Sequence, residues 1–172
     1  MSSRWPWFYV AVAIQLLILA AVPARKLLAA FTGTPVVLQV APVDPYNILS
    51  GYYLTLSYEV ARLSSEESQR FQGVRDLYVV VRPDPDGIWR RVAMTSEWPS
   101  EIPAGALVIK GTLQGWRLDL GLESFYLPET RRDAIAHDLE AHMDQARVEI
   151  RVDGRGNAVL RKLLIADRVY SF

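Results

Sequence analysis

The side chains best suited to metal binding and base catalysis are scarce in this chain: two histidines, three lysines and no cysteine among 172 residues. His137 and His142 stand five apart, which turns the two rings to different faces of a helix. A helical zinc pair sits four apart on one face and needs a third ligand. The same positions instead make i,i+4 partners of Asp133 with His137 and of Asp138 with His142, so neither a metal nor another cofactor is expected. The absence of cysteine removes disulfides, thiolate metal sites and cysteine nucleophiles together. Beyond Lys26, only Lys110 and Lys162 could serve as an amine base, because arginine stays protonated; Lys110 falls in a β-rich run and reads as a solvated strand residue. Gly111 to Gly115 lies between two β-runs with no following helix or lysine, so it is no phosphate cradle. Lysine plus arginine equals aspartate plus glutamate at 19 each, and the few lysines are scattered, which argues against a nucleic-acid partner.

The stretch that gathers most hydroxyl groups is Asp44 to Glu59, DPYNILSGYYLTLSYE. Pro45 sets its own φ and Gly51 frees the backbone at the turn, so the segment reads as a turn feeding one long strand. With a period of two, Tyr52, Leu54, Leu56 and Tyr58 share one face, and Tyr53, Thr55, Ser57 and Glu59 the other. Leu56 and Tyr58 are therefore expected in the core, with the Tyr58 hydroxyl in need of a partner. Tyr53 on the polar face, with Tyr46 nearby, is a candidate anchor for a partner or the lining of a cleft.

These residues need elements to hold them. From Trp5 to Ala24 the chain has no charged side chain, which matches the roughly 20 residues that span a hydrocarbon core as a helix. Trp5, Trp7 and Tyr9 suit one interface and Arg25 and Lys26 mark the other end; Leu27 to Phe31 extends the helix until Gly33 and Pro35 stop it. This predicts a retained anchor over residues 1–31 and a β-rich domain over 32–172. In that domain Pro35 to Ala41 is a short strand leading to the 44–59 segment as its hairpin partner. Ser64 to Gln72 is a short helix or loop with Ser65 as N-cap. Asp76 to Arg82 and Ile88 to Thr95 form a hairpin around Pro83-Asp84-Pro85-Asp86-Gly87. Ala106 to Leu113 pairs with Trp116 to Leu120. Thr130 to Met143 is the clearest soluble helix, with Ile135, Leu139 and Met143 on one side, lying across the sheet or barrel mouth. Arg147 to Asp153 and Ala158 to Ile165 form a terminal hairpin, with a last strand over Asp167 to Phe172. The fold class is mainly β, barrel-like or α+β, built of antiparallel hairpins with one or two short helices and preceded by one transmembrane helix.

The run Gly51-Tyr52-Tyr53-Leu54-Thr55-Leu56-Ser57-Tyr58 resembles the signature of the GDYXXLXY family of bacterial membrane-anchored proteins. Phe125-Tyr126-Leu127-Pro128-Glu129 is similar to that family's second shared feature, an aromatic pair running into Pro-Glu. The resemblance marks Gly51, Tyr53, Leu56, Tyr58, Tyr126, Pro128 and Glu129 as motif residues and adds Glu129 to Tyr46 and Tyr53 on the candidate partner surface. Tyr52 stands where the family has aspartate, which removes the one carboxylate of the octapeptide. The flanking charges are nearly balanced and give the positive-inside rule nothing to act on; it is the family resemblance that implies a domain on the extracytoplasmic side. A second resemblance, at the level of topology, links Asp44-Pro45 through Leu54 to signal peptidases, in which a serine precedes a Pro-Thr-Leu segment and a Gly-Asp. Superposing Gly51 on that glycine puts Val43 or Pro42 where the nucleophile belongs, and neither can attack a carbonyl. The expectation is a single-pass bacterial membrane protein, not an enzyme, acting as an accessory or assembly factor on another membrane or extracytoplasmic protein. The alternatives are a small-ligand binder at the barrel mouth and a degenerate signal-peptidase-like hydrolase.

Overall fold

The computed structural model describes residues 5–41, 49–50, 53–126 and 132–171. Helix α1, Trp5–Thr32, runs directly into strand β1, Thr34–Ala41, with Gly33 alone between them. Large apolar side chains from Trp5 through Leu19 stand exposed along α1, whereas Ala29 in its last turns is fully buried. Among the described residues no helix is long and apolar enough to cross a membrane; the side chains of residues 20–28 lie outside that description.

The domain is mainly antiparallel β. One five-stranded sheet has the order β12, β11, β10, β1, β4, where β4 is Ser57–Tyr58, β10 Ala146–Val152, β11 Ala158–Ile165 and β12 Arg168–Ser171. A four-stranded sheet runs β6, β5, β7, β8, formed by Asp76–Pro83 (β5), Trp89–Thr95 (β6), Leu107–Gln114 (β7) and Arg117–Asp119 (β8). A small sheet joins β2, Leu49–Ser50, to β3, Tyr53–Thr55, and β3 to β9, Ser124–Tyr126. Strand alternation fills one core: Val36 and Leu38, Leu77 and Val79, Val148 and Ile150 each point inward at every second position. Helix α3, Arg132–Ala141, adds Ile135 and Leu139 to that core.

Local chemistry explains the hairpins. In the β5–β6 turn the Asp84 amide donates to the Ile88 carbonyl at 2.9 Å, the Asp86 carboxylate accepts the Ile88 amide at 2.9 Å, and Gly87 takes a φ of 80°, the left-handed conformation that favours glycine. Helix α2, Ser65–Arg70, opens with a capping box in which the Ser64 hydroxyl accepts the Glu67 amide and the Glu67 carboxylate accepts the Ser64 amide. The cap is thus Ser64 and not Ser65, because only Ser64 has a glutamate three residues on to return the bond.

Three further expectations are corrected. The 44–59 segment is not one strand: β2 and β3 pair with Ser50 opposite Tyr53, and after Leu56 the chain crosses to the five-stranded sheet as β4, ending in a 3-10 turn over Glu59–Ala61. The crossing happens at Leu56, whose amide bonds the Glu123 carbonyl at 2.7 Å. The main partner of β1 is β10, from Thr34 opposite Val152 to Gln39 opposite Arg147, and the motif segment takes only Val40 and Ala41. Helix α3 stops at Ala141 and Met143–Gln145 is a 3-10 turn.

Candidate functional site

The two motif regions of the sequence meet. Strand β3 pairs with β9 antiparallel, setting Tyr53 opposite Tyr126, Leu54 opposite Phe125 and Thr55 opposite Ser124. Leu54, Leu56 and Tyr58 are fully buried, and the Tyr58 hydroxyl donates to the Leu122 carbonyl at 2.6 Å. That bond and the one from Leu56 to Glu123 tie the crossing segment to the loop between β8 and β9. Burial, together with the nearby Glu123 charge, pushes the Tyr58 phenol well above its ordinary range, so the ring stays neutral and acts as a donor.

The loop between β8 and β9 carries a carboxyl pair, Asp119 and Glu123, that the motif reading of the sequence did not single out. The Glu123 side chain closes its own loop: Oε1 accepts the Leu120 amide at 2.6 Å and Oε2 the Leu122 amide at 2.8 Å. Asp119 Oδ1 accepts the Gly121 amide at 2.7 Å. Burial first, and then its hydrogen bond to Asp119, pushes Glu123 up to about 7, while the hydrogen bond from Glu123 holds Asp119 below its ordinary value. Below about pH 7 the pair therefore holds one proton, on Glu123. The sequence signal is two acids four residues apart around Gly121, a pattern that reads as turn chemistry.

Because the folded chain binds the Glu123 proton more tightly than an unfolded one, its stabilising effect is complete below about 4.5, the ordinary glutamate value, and is lost as pH rises through about 7. Asp119 works oppositely, its contribution present above 3.8 and lost as pH falls through its lowered value. Urea unfolding should show stability declining between pH 5 and pH 8 by about 1–3 kcal/mol. Glu123→Gln should flatten that decline; an undiminished decline in the variant would assign it to other groups.

The remaining expected site residues fall out as follows. Gly51, Tyr46, Pro128 and Glu129 lie outside the described residues, as do Tyr52, Val43 and Pro42, and only the backbone of Tyr53 and Tyr126 is described. Lys110 is an exposed residue of β7, as expected; its amine pairs with Asp76 at 2.9 Å, and that partner raises its affinity for the proton. Lys162 pairs with Glu149 at 3.1 Å. His142 does not take the Asp138 carboxylate, which Arg168 and Tyr170 of β12 hold instead; its ring meets the Asp138 carbonyl at 3.3 Å. Among the described residues no three histidine, cysteine, aspartate or glutamate side chains are placed to hold a metal ion. A groove of about 580 Å³ runs between β8 and the β10–β11 turn, lined by Arg75, Lys110, Thr112, Asp119 and Asn157; these are polar side chains remote in sequence from the Tyr53 region.

An N-terminal helix running without a linker into an antiparallel β-domain, knotted at a buried tyrosine and a strand-paired second motif, defines a class of helix-led β-proteins. Residues 15–163 match the family model of the GDYXXLXY protein, and the chain belongs to the GDYXXLXY family. No curated protein and no solved structure matches it.

Proposed function

We propose that this protein is a single-pass, membrane-anchored accessory factor, without catalysis of its own, whose β-domain engages another protein on the extracytoplasmic side of a bacterial membrane. The observation that carries this is α1: it presents exposed tryptophan, phenylalanine, tyrosine, isoleucine and leucine side chains from Trp5 to Leu19 while Ala29 is sealed into the domain. Such a surface is costly in water and stable in lipid. A helix whose last turns belong to the fold also favours retention over cleavage. The charge-free sequence from Trp5 to Ala24 agrees with this. The motif tyrosine Tyr58 is engaged in holding strands together, and Lys110, the candidate base, is held as a cation by Asp76; a Ser–Lys hydrolase needs a lysine that gives its proton up.

The test is a mild-detergent affinity purification of the full-length chain from its own membranes, beside a Tyr53→Ala/Glu129→Ala variant of matched thermal stability. A stoichiometric partner that the variant loses is the expected result. Both versions purifying alone would remove the assembly reading.

A further inference from the structure

Charge in this neutral chain is unevenly placed. Residues 146–165, which form the β10–β11 hairpin, hold five cations, Arg147, Arg151, Arg155, Arg161 and Lys162, against two carboxylates, Glu149 and Asp153. Glu149 is occupied by Lys162 at 3.1 Å. Asp153 is occupied within the turn, accepting the Arg155 amide at 2.9 Å and the Asn157 side chain at 2.8 Å. Arg155 and Arg161 are exposed, and neither forms an ion pair among the described residues. Arg161 is the extra residue of a β-bulge, since Glu149 faces Lys162 while Ile150 faces Leu160; a bulge re-aims the side chain it carries.

The same hairpin is where α1 is fastened. The helix packs on β10 and β11, Arg151 Nη1 donates to the Gly33 carbonyl at 3.0 Å, and Gly33 lies so close to β10 that a Cβ there would stand 3.0 Å from the Val152 nitrogen. With a rise of about 1.5 Å per residue, the nine residues from Ala24 to Gly33, where the hairpin is fastened, put it about 14 Å from the end of the charge-free span, within about two Debye lengths at physiological salt.

We propose that the β10–β11 hairpin is a second membrane contact, on which Arg155 and Arg161 bind anionic lipid headgroups of the bilayer that α1 enters. It rests on the anchor reading above. Each arginine next to an anionic surface contributes roughly fivefold to such an equilibrium, so neutralising both should weaken docking on the order of twenty-fold. Docking fixes how the β-domain stands over the membrane.

Because the chain has no cysteine, Gly154→Cys gives one labelling site, at a position where a Cβ meets nothing within 4 Å. The full-length labelled protein is placed in nanodiscs of phosphatidylcholine, alone or mixed with phosphatidylglycerol, and a fluorophore on that cysteine is quenched by headgroup-labelled lipid. Stronger quenching in the anionic discs, reversed by salt, lost in Arg155→Gln/Arg161→Gln and kept in Arg155→Lys/Arg161→Lys, is the expected result. Equal quenching in both discs, or no response to salt or to the glutamine pair, would overturn the proposal. Carbonate extraction of native membranes separates the two readings: a chain released by carbonate defeats the anchor itself, whereas a resistant chain with a lipid-indifferent label defeats the headgroup contact alone.

Discussion

Tyr58→Ala should lower the unfolding free energy by about 3–5 kcal/mol, the range for removing a large aromatic ring from a packed core. Tyr58 is among the largest side chains with no exposure at all, and its ring lies where the motif segment leaves the small sheet and enters the large one. Truncation therefore opens a cavity and also frees the Leu122 carbonyl, which the hydroxyl satisfies at 2.6 Å. Tyr58→Phe isolates the second effect and should cost about 1–2 kcal/mol, the penalty for a buried acceptor left unmet. Urea denaturation of the three proteins checks both figures. A Tyr58→Phe protein of wild-type stability that nonetheless lost a bound partner would reassign Tyr58 from scaffold to contact residue.

Gly33→Val should break the joint between helix and domain. An added Cβ meets the Ala29 carbonyl oxygen, the Val152 nitrogen at 3.0 Å and the Arg151 carbonyl carbon at 3.1 Å. All three are main-chain atoms that cannot swing aside, so the last turn of α1 must lift from β10. The expected loss is about 1–3 kcal/mol, typical of overpacking, and limited proteolysis should newly cut near residue 33 while leaving the β-domain folded. Gly154→Ala is the matched control: nothing lies within 4 Å of its added Cβ, and its effect should stay within about 0.5 kcal/mol. Resistance of Gly33→Val to protease would mean that the joint adapts and that the domain is not held at a set angle to the helix.

Elements written in local periodicity were readable from the chain alone. The β5–β6 hairpin, with its proline and glycine turn, the β10–β11 hairpin and the amphipathic α3 stand within a few residues of where alternation and turn residues put them. The burial of Leu56 and Tyr58 also followed from a two-residue period. The membership of the family was legible for the same reason, because its signature is a contiguous octapeptide with a second feature downstream. What was not legible concerns pairings across long stretches of chain. That Tyr53 stands opposite Tyr126, that β1 chooses β10 over the neighbouring motif segment, and that burial beside Asp119 raises the affinity of Glu123 for a proton depend on which strands dock once the core collapses. Local backbone preference acts over a few residues, whereas strand partnership and the desolvation of a carboxyl are properties of the assembled whole. The sequence alone determined the helix-led, hairpin-built β character and the inward face of the motif; the tertiary structure decided that both motifs form one joint, that a half-buried carboxyl pair closes the loop beside it, and that the N-terminal helix is fastened to the domain's most basic hairpin.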